Sequence, residues 1–366
     1  MLDPAEDARD KAGMNRTFLS ISEQVAGVLR SELIRGRWGG GIPGRNTLAK
    51  ELGVNHKTVD AALQQLEAEG LLVNQGQGRK RRVQLPKGAA APMRLAILAY
   101  DRNSLQTPYM IELMHLLEDA GHTPFSAKHT MSEMKRSLNR VRRLVRATEA
   151  DAWIVCAGSR EILEWFAEQP TPTFALFGRR RGLPLPAVGP DQPSALRAIT
   201  ERFVELGHRR IVLLCMGERR HPEPGASERA FLDTLEGHGI RTGSYNLPEW
   251  EESPAGLQTA LDSLFQVSPP TALILGDSST MYAPVQQFLN RRGLRVPEDV
   301  SLVLTESMTD LAWCHPSVAH VMWDTRLVIR RIVRWAANVS RGKADVQQSL
   351  TPARFLEGGT VGPAPN

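Results

Sequence analysis

Two clusters of side chains near the start of the chain carry recognisable chemistry. Asn55-His56-Lys57-Thr58, with Asp60 and Gln64 further on, presents amide, imidazole, ammonium, hydroxyl and carboxylate groups in close succession. Such groups read the edges of bases, and a lysine meets phosphate. Gly78-Arg79-Lys80-Arg81-Arg82 then sets four consecutive cations behind a glycine. A row of this kind grips a phosphodiester backbone or enters a minor groove. Arg45 and Asn46 add a cation and an amide just ahead of the first cluster. Charge follows the same division. Residues 15–88 hold twelve Lys and Arg against six Asp and Glu, whereas residues 89–366 hold thirty-one against thirty. The net charge of +5 therefore resides in the small N-terminal part, an electrostatic footprint for nucleic acid.

The elements that must position these groups are legible from spacing. Ser20 and Glu23 fit a capping box. Ile21, Val25, Val28, Leu29 and Leu33 then follow at helical spacing, and Gly36 offers a stop. A second helix is predicted over Arg45–Leu52, with Leu48, Ala49 and Leu52 inward and Gly53 as the turn. Asn55 is a good N-cap for a third helix from His56 to about Glu69. Val59, Ala62, Leu63 and Leu66 form its buried stripe, so His56, Lys57, Asp60 and Gln64 face outward. Thr58 sits in the first turn, where free backbone N–H groups favour a phosphate. Leu71–Val73 reads as a strand, Gln75–Gly78 as a turn, and Arg79–Val83 as the returning strand. The whole predicts a winged helix-turn-helix over residues 18–85, preceded by a polar, disordered tail over 1–17. Its expected DNA contacts are Arg45, Asn46, Asn55, His56, Lys57, Thr58, Asp60, Gln64, Gly78, Arg79, Lys80 and Arg81.

This stretch resembles the GntR-type DNA-binding domain. The resemblance rests on Pro43, Leu48-Ala49, Leu52-Gly53-Val54, Thr58-Val59, Ala62-Leu63, Leu66-Glu67, Glu69-Gly70-Leu71-Leu72 and Gly76-x-Gly78. The chain departs from the family at base-reading positions, where Arg often stands in place of Asn46, His56 and Asp60. Phosphate repels Asp60, although a carboxylate also accepts from a cytosine amino group. The resemblance implies a duplex DNA operator, read as an inverted repeat by a homodimer.

Residues 86–92 form a short linker of small residues between two prolines. Beyond it, apolar runs alternate with helical patterns. Runs at Met93–Ala99, Thr123–Ala127, Ala152–Cys156, Thr173–Phe177, Ile211–Cys215, Thr271–Leu275 and Val300–Leu304 read as strands. Helices are expected up to Ala120, then over Ser132–Thr148, Ser194–Leu206, Ser227–Gly237 and Met281–Arg292. The fold class is α/β, with doubly wound parallel sheets in two lobes and a ligand in the cleft at the strands' C-terminal ends.

Thr200–Ile211, Arg291–Ser301 and Val188-Gly189-Pro190-Asp191 resemble segments of the LacI family. The resemblance spans about 93–358 and leaves a tail over 359–366. It implies a periplasmic-binding-protein-like sensor that closes on a small molecule, commonly a sugar, and dimerises. On this resemblance Trp250 falls where an aromatic residue stacks on the ligand, and Asp277 on the acid that takes ligand hydroxyls. Trp250 also reads as a core or rim residue, and Asp277 as a helix N-cap. Ser227 stands where the family has a clamping Arg, with Arg229, Arg219 or Arg220 as substitutes. Glu306 lies near the family's Gly-Phe-Asp-Asp, here Leu304-Thr305-Glu306-Ser307. Asp101, at the end of the first strand, is expected to face the cleft. Trp313 and Trp323 fit either the cleft or a dimer face.

No apolar run has the length of a membrane-spanning helix and no signal peptide is visible, so a cytoplasmic, nucleoid-associated bacterial protein without membrane contact is expected. Cys156, Cys215 and Cys314 lack metal spacing and are expected as buried thiols. There is no His-Glu-x-x-His, P-loop or Gly-x-Ser-x-Gly motif. Neither an enzyme nor a cofactor is expected. A pyridoxal-phosphate enzyme would need a lysine in a cofactor loop, and Lys128, Lys135 and Lys343 do not sit in one. A regulator whose sensor serves only as a dimer scaffold or protein-docking module is the alternative to an effector-responsive one.

Overall fold

The computed structural model describes residues 20–34, 37–38, 41–76, 79–84, 91–276, 278–306, 311 and 313–365. The expected tail over 1–17, the stop at Gly36 and most of the linker lie outside them. The chain divides into two compact units, Met1–Met93 with Ala337–Lys343, and Arg94–Ala336 with Ala344–Asn366.

In the first unit α1 (Ile21–Ile34), α2 (Arg45–Leu52) and α3 (His56–Ala68) enclose one core. The capping box forms: the Ser20 N–H donates to Glu23 at 2.6 Å, and the Glu23 N–H to Ser20 Oγ at 3.2 Å. Gly53 closes α2 at φ +66°, a left-handed conformation that glycine adopts without a steric penalty. Asn55 caps α3 by accepting from the Thr58 N–H at 2.8 Å. Strands β1 (Leu72–Val73) and β2 (Arg82–Val83) pair antiparallel to make the wing, and Gly41 bridges to Arg82.

The second unit holds two sheets. The first lobe joins β3 (Arg94–Leu98), β4 (Thr123–Ser126), β5 (Ala152–Cys156), β6 (Thr173–Leu176), β7 (Ala187–Pro190) and a late strand, β12 (Gln348–Thr351). Their spatial order is β12-β7-β6-β5-β3-β4, all parallel. A 3-10 turn at Asn103–Gln106 leads into α4 (Pro108–Asp119). Helices α5 (Leu138–Arg146) and α6 (Arg160–Ala167) cover one face through Val141, Leu144, Ile162 and Phe166. In the second lobe β8 (Ile211–Leu214), β9 (Ala272–Leu275), β10 (Ser301–Leu304) and β11 (Ala319–Trp323) run parallel, and β13 (Ala353–Leu356) adds an antiparallel edge. Helices α7 (Gln192–Glu205) and α9 (Ala226–Gly237) cover one face. Helices α10 (Pro254–Val267) and α11 (Ser278–Arg291) cover the other. A single turn, α8 (Gly217–Arg220), follows β8, and α12 (Thr325–Val339) returns to the first lobe, where Trp335 packs on Phe174 at 5.2 Å. The lobes are joined by three crossovers, at 190–192, 323–325 and 351–353.

Two expectations need correction. The helix predicted from Ser132 begins only at Leu138, because Lys135 (φ +48°) and Arg136 (φ +53°) are left-handed. The tail expected over 359–366 is tied to the second lobe as far as Ala364. The Leu302 N–H donates to the Thr360 carbonyl at 2.8 Å, and the Ala364 N–H to Leu206 at 2.8 Å. Helices α6, α10 and α12 are additions to the expected set.

Candidate nucleic-acid interface and effector cleft

The polar face of α3 is turned outward as its apolar stripe requires. Val59, Ala62, Leu63 and Leu66 are fully buried, whereas His56, Lys57 and Gln64 are exposed. Asn55 and half-buried Thr58 form the N-terminal turn beside them. Arg45 and Asn46 are exposed at the start of α2.

Asp60 is handled differently from the expectation that phosphate repels it. Its carboxylate lies 3.6 Å from Arg45 and 3.6 Å from Arg81, so two cations already offset its charge. Arg81 stands apart from the rest of the expected wing set. Its guanidinium folds back onto Glu67 and Asp60, and only 20 % of the side chain is exposed. It fastens the wing to α3, while Arg79, Lys80 and Arg82 remain exposed. Alternation separates inward Arg81 from Lys80 and Arg82 on either side of it, while Arg79 is exposed in the bend before the strand. That same alternation would have marked Arg82 as the outward residue. Gly78 lies outside the described residues.

In the second unit, side chains from both lobes meet above the C-terminal ends of the strands. Tyr109 of α4, Phe177 after β6 and Trp323 at the end of β11 form an aromatic trio. Their ring centroids are 6.4, 5.9 and 5.5 Å apart and their planes are steeply inclined. Burial, reinforced by the neighbouring Cys156, Glu306 and Asp101 groups, raises the Tyr109 hydroxyl far above its ordinary pKa. Tyr109 is therefore a neutral hydrogen-bonding group. Burial also pushes the Cys156 thiol up to about 12, which leaves it inert as a thiolate. Gln192 donates to the Thr305 carbonyl at 2.9 Å, tying the first crossover to the end of β10. Gln192 Oε1 and Thr351 Oγ1, at two of the crossovers, are buried without a partner among the described residues. Buried acceptors and hydroxyls in this state suit a ligand that brings its own hydroxyl groups.

The expected effector residues divide. Asp101 accepts from the Ser104 N–H at 2.8 Å and from its hydroxyl, so it caps the 3-10 turn, close to Tyr109. Glu306 follows β10 on the second lobe and influences Tyr109. Trp250 is half-buried on the second lobe's core, and its indole N–H donates to the Cys215 carbonyl at 3.1 Å, just past β8. Ser227 is half-buried in the first turn of α9. Among the three candidate arginines only Arg219 reaches the end of β9. It donates to the Gly276 carbonyl and pairs with buried Glu228 at 2.7 Å. Gly276 permits this approach, since a Cβ there would sit 2.7 Å from that of Cys215. Arg229 pairs with Glu223 at 3.2 Å on the surface, and buried Arg220 pairs with exposed Glu249. Asp277 lies outside the described residues. Sequence reasoning missed Tyr109, Phe177 and Gln192, and it did not choose between cleft and dimer face for Trp323.

The cleft is clasped on one side. Arg136 of the first lobe lies 3.1 Å from Glu218 and also pairs with Glu252 of the second. Arg179 donates to the carbonyls of Glu218, His221 and Glu223, at the C-terminal end of α8. Among the described residues, no helix is long and apolar enough to cross a membrane and no His, Cys, Asp and Glu side chains gather to hold a metal.

Comparison with known proteins finds a likeness for each part. Residues 21–80 match the family described as bacterial regulatory proteins, gntR family, and residues 200–361 match the periplasmic binding protein-like domain. The two matches fall on separate stretches of the chain, the first on the three helices and wing and the second on the second-lobe half of the sensor-like unit. The HTH-type transcriptional regulator RafR of Escherichia coli is 28 % identical over 193 residues, 52 % of this chain. The matched region spans 56 % of that relative's length. A LacI transcriptional regulator from Bacillus cereus subsp. cytotoxis NVH 391-98 superposes with a TM-score of 0.61 at 18 % identity, over 74 % of this chain and 98 % of its own. The transcriptional regulator CelR in complex with cellobiose gives 0.59 at 18 % identity, over 87 % of this chain and all of its own. These likenesses establish the fold of the binding-protein-like domain. All three carry the name of transcriptional regulator.

Proposed function

We propose that this protein is a transcriptional regulator that binds an operator through α3 and the wing and responds to a sugar-like effector held between its two lobes. The observation that carries the DNA-binding half is the exposed polar face of α3 beside three outward cations of the wing. A homodimer would set two such faces into successive major grooves of an inverted repeat. The effector half is supported by the aromatic trio, whose faces suit the C–H surface of a sugar. Tyr109, Gln192 and Thr351 supply hydrogen-bonding groups around it. The solved structure with cellobiose is the relative that makes a saccharide the first ligand to try. Effector binding changes DNA affinity only if the ligand prefers one lobe arrangement over the other. Footprinting the purified protein on DNA flanking its own gene, with and without a panel of mono- and oligosaccharides, tests the proposal. Protection of a two-fold symmetric site that one saccharide alters supports it, and no protection at all refutes it. The Arg136 clasp favours a second reading, a scaffold held shut without effector, and protection that no ligand alters would support that.

A further inference from the structure

Helix α5 has the sequence LNRVRRLVR, and its two faces have opposite characters. Val141 and Leu144 are fully or almost fully buried in the first lobe. Arg142 is anchored over the Trp165 ring at 5.9 Å. Arg140, Arg143 and Arg146 stand exposed on the outer side, and none makes an ion pair among the described residues. Other arginines of the same lobe do: Arg94 takes Glu149 at 3.1 Å, Arg102 takes Glu133 at 2.8 Å and Arg160 takes Glu164 at 2.6 Å. Three guanidiniums without carboxylates, on a helix whose other face is fixed in a core, form a rigid cationic stripe. Over six residues it spans about 9 Å.

The stripe also lies where the chain enters the lobe. Helix α5 leads directly into β5, which pairs with β3 from Leu95↔Ala152 onward. The Arg94 N–H donates to Asp151 at 2.7 Å, so the C-terminal end of α5 and the first residue of β3 share one end of the sheet. The last described residue of the head before the linker is Gln84. Ten residues of chain from there to Arg94 reach at most about 35 Å. The chain thus joins the head covalently to this end of the lobe, which makes flanking duplex the polyanion to test against the stripe. A 9 Å length of duplex presents about five phosphates, enough to meet all three guanidiniums.

We propose that Arg140, Arg143 and Arg146 form an accessory, sequence-independent surface for duplex DNA flanking the site held by the head. This rests on the DNA-binding reading above. It adds phosphate contacts outside the winged domain and so lengthens the DNA that the protein occupies.

The test measures affinity of the full-length protein, by fluorescence anisotropy across a KCl series, for a random-sequence duplex of about 40 base pairs. A shorter duplex of about 12 base pairs, just over one helical turn, serves as comparison. Removing one cation from a phosphate flattens the slope of log affinity against log salt by about 0.9. The triple variant Arg140→Gln, Arg143→Gln, Arg146→Gln is expected to flatten the slope by about 2.7 on the long duplex and leave the short one unchanged. The triple Lys variant, which keeps the charge, should behave as the parent on both. An unchanged slope on the long duplex overturns the proposal and turns the stripe over to an acidic protein partner. Equal weakening on both duplexes, with the Lys variant impaired as well, also overturns it, because the helix would then be needed for folding. A parent that binds neither duplex refutes the DNA-binding reading itself, which separates the two failures.

Discussion

The Arg136 guanidinium lies 3.1 Å from the Glu218 carboxylate, and the two residues belong to different lobes of the binding-protein-like domain. Glu252 completes a two-acid cradle around the same arginine, and together they hold it charged well beyond its ordinary range despite its burial. The left-handed backbone at Lys135 and Arg136 ends the preceding turn and directs this side chain across the cleft. Arg136→Ala is expected to remove about 1–2 kcal/mol of lobe closure, discounted because part of the network is wet. Small-angle scattering should show a larger radius of gyration. Arg136→Lys should restore closure only in part, since an ammonium cannot fork between two carboxylates. Identical scattering from parent and Arg136→Ala would show that the clasp holds nothing shut.

The wing separates fastening from gripping. Arg81→Gln, which breaks the ties to Glu67 and Asp60, should lower the head's stability by about 1–2 kcal/mol in denaturant unfolding. Neutralising Arg79, Lys80 and Arg82 together should leave stability unchanged and flatten the salt dependence of DNA binding by up to about 2.7. If Arg81→Gln instead behaves like the other three, its inward pairing has no energetic weight.

For the cleft, Trp323→Phe should keep the fold, because the smaller ring still meets Tyr109 and Phe177. It should weaken binding of whichever saccharide stabilises the parent by at least about fivefold. Isothermal titration calorimetry measures this. Parent-like affinity in Trp323→Phe and in Tyr109→Phe would remove the trio from the ligand site.

His208 makes the domain's stability depend on pH. It is buried, with Nδ1 2.9 Å from the Thr271 hydroxyl and Nε2 3.0 Å from the Gly362 carbonyl. A neutral ring with its proton on Nε2 satisfies both partners. Burial lowers its pKa below the ordinary 6.5, and the Gly362 bond offsets this only partly. The unfolded chain therefore takes up the proton first as pH falls. The contribution is complete above about pH 6.5 and diminishes as pH drops toward the folded-state value. Denaturant midpoints of the parent should fall from pH 7.5 to 5.5 by more than those of His208→Gln. Equal falls would dismiss His208 as a source of the dependence. Burial depresses His122 in the same direction, so some fall should persist in the variant.

What is legible in the sequence follows from local physics. The Ser20–Glu23 box, the Asn55 cap, Gly53 and the stripe from Val59 to Leu66 are all decided within one turn of chain, and α1 to α3 match them closely. Strands β3 to β6 and β8 to β10 were legible because most are buried on two faces and read as unbroken apolar runs, whereas the half-exposed β11, β12 and β13 were not read. The departures come from partners distant in sequence. Nothing between Ser132 and Ser137 opposes a helix; the turn there is set by tertiary contacts that include Glu218 and Glu252. Arg81 looked like one of four equal cations until Glu67 and Asp60 selected it. Tyr109, Phe177 and Trp323 come from three separated segments, and only the two-lobed architecture brings their rings together.

The central claim is that the outward face of α3 enters duplex DNA. Hydroxyl-radical footprinting of the full-length protein on the DNA flanking its gene, repeated with His56→Ala, Lys57→Ala and Gln64→Ala, tests it most directly. The account predicts two protected windows about one helical turn apart. Lys57→Ala should weaken protection at every sequence, while His56→Ala and Gln64→Ala should shift which bases are tolerated. Protection that survives all three substitutions unchanged, or its absence from the parent, would contradict it.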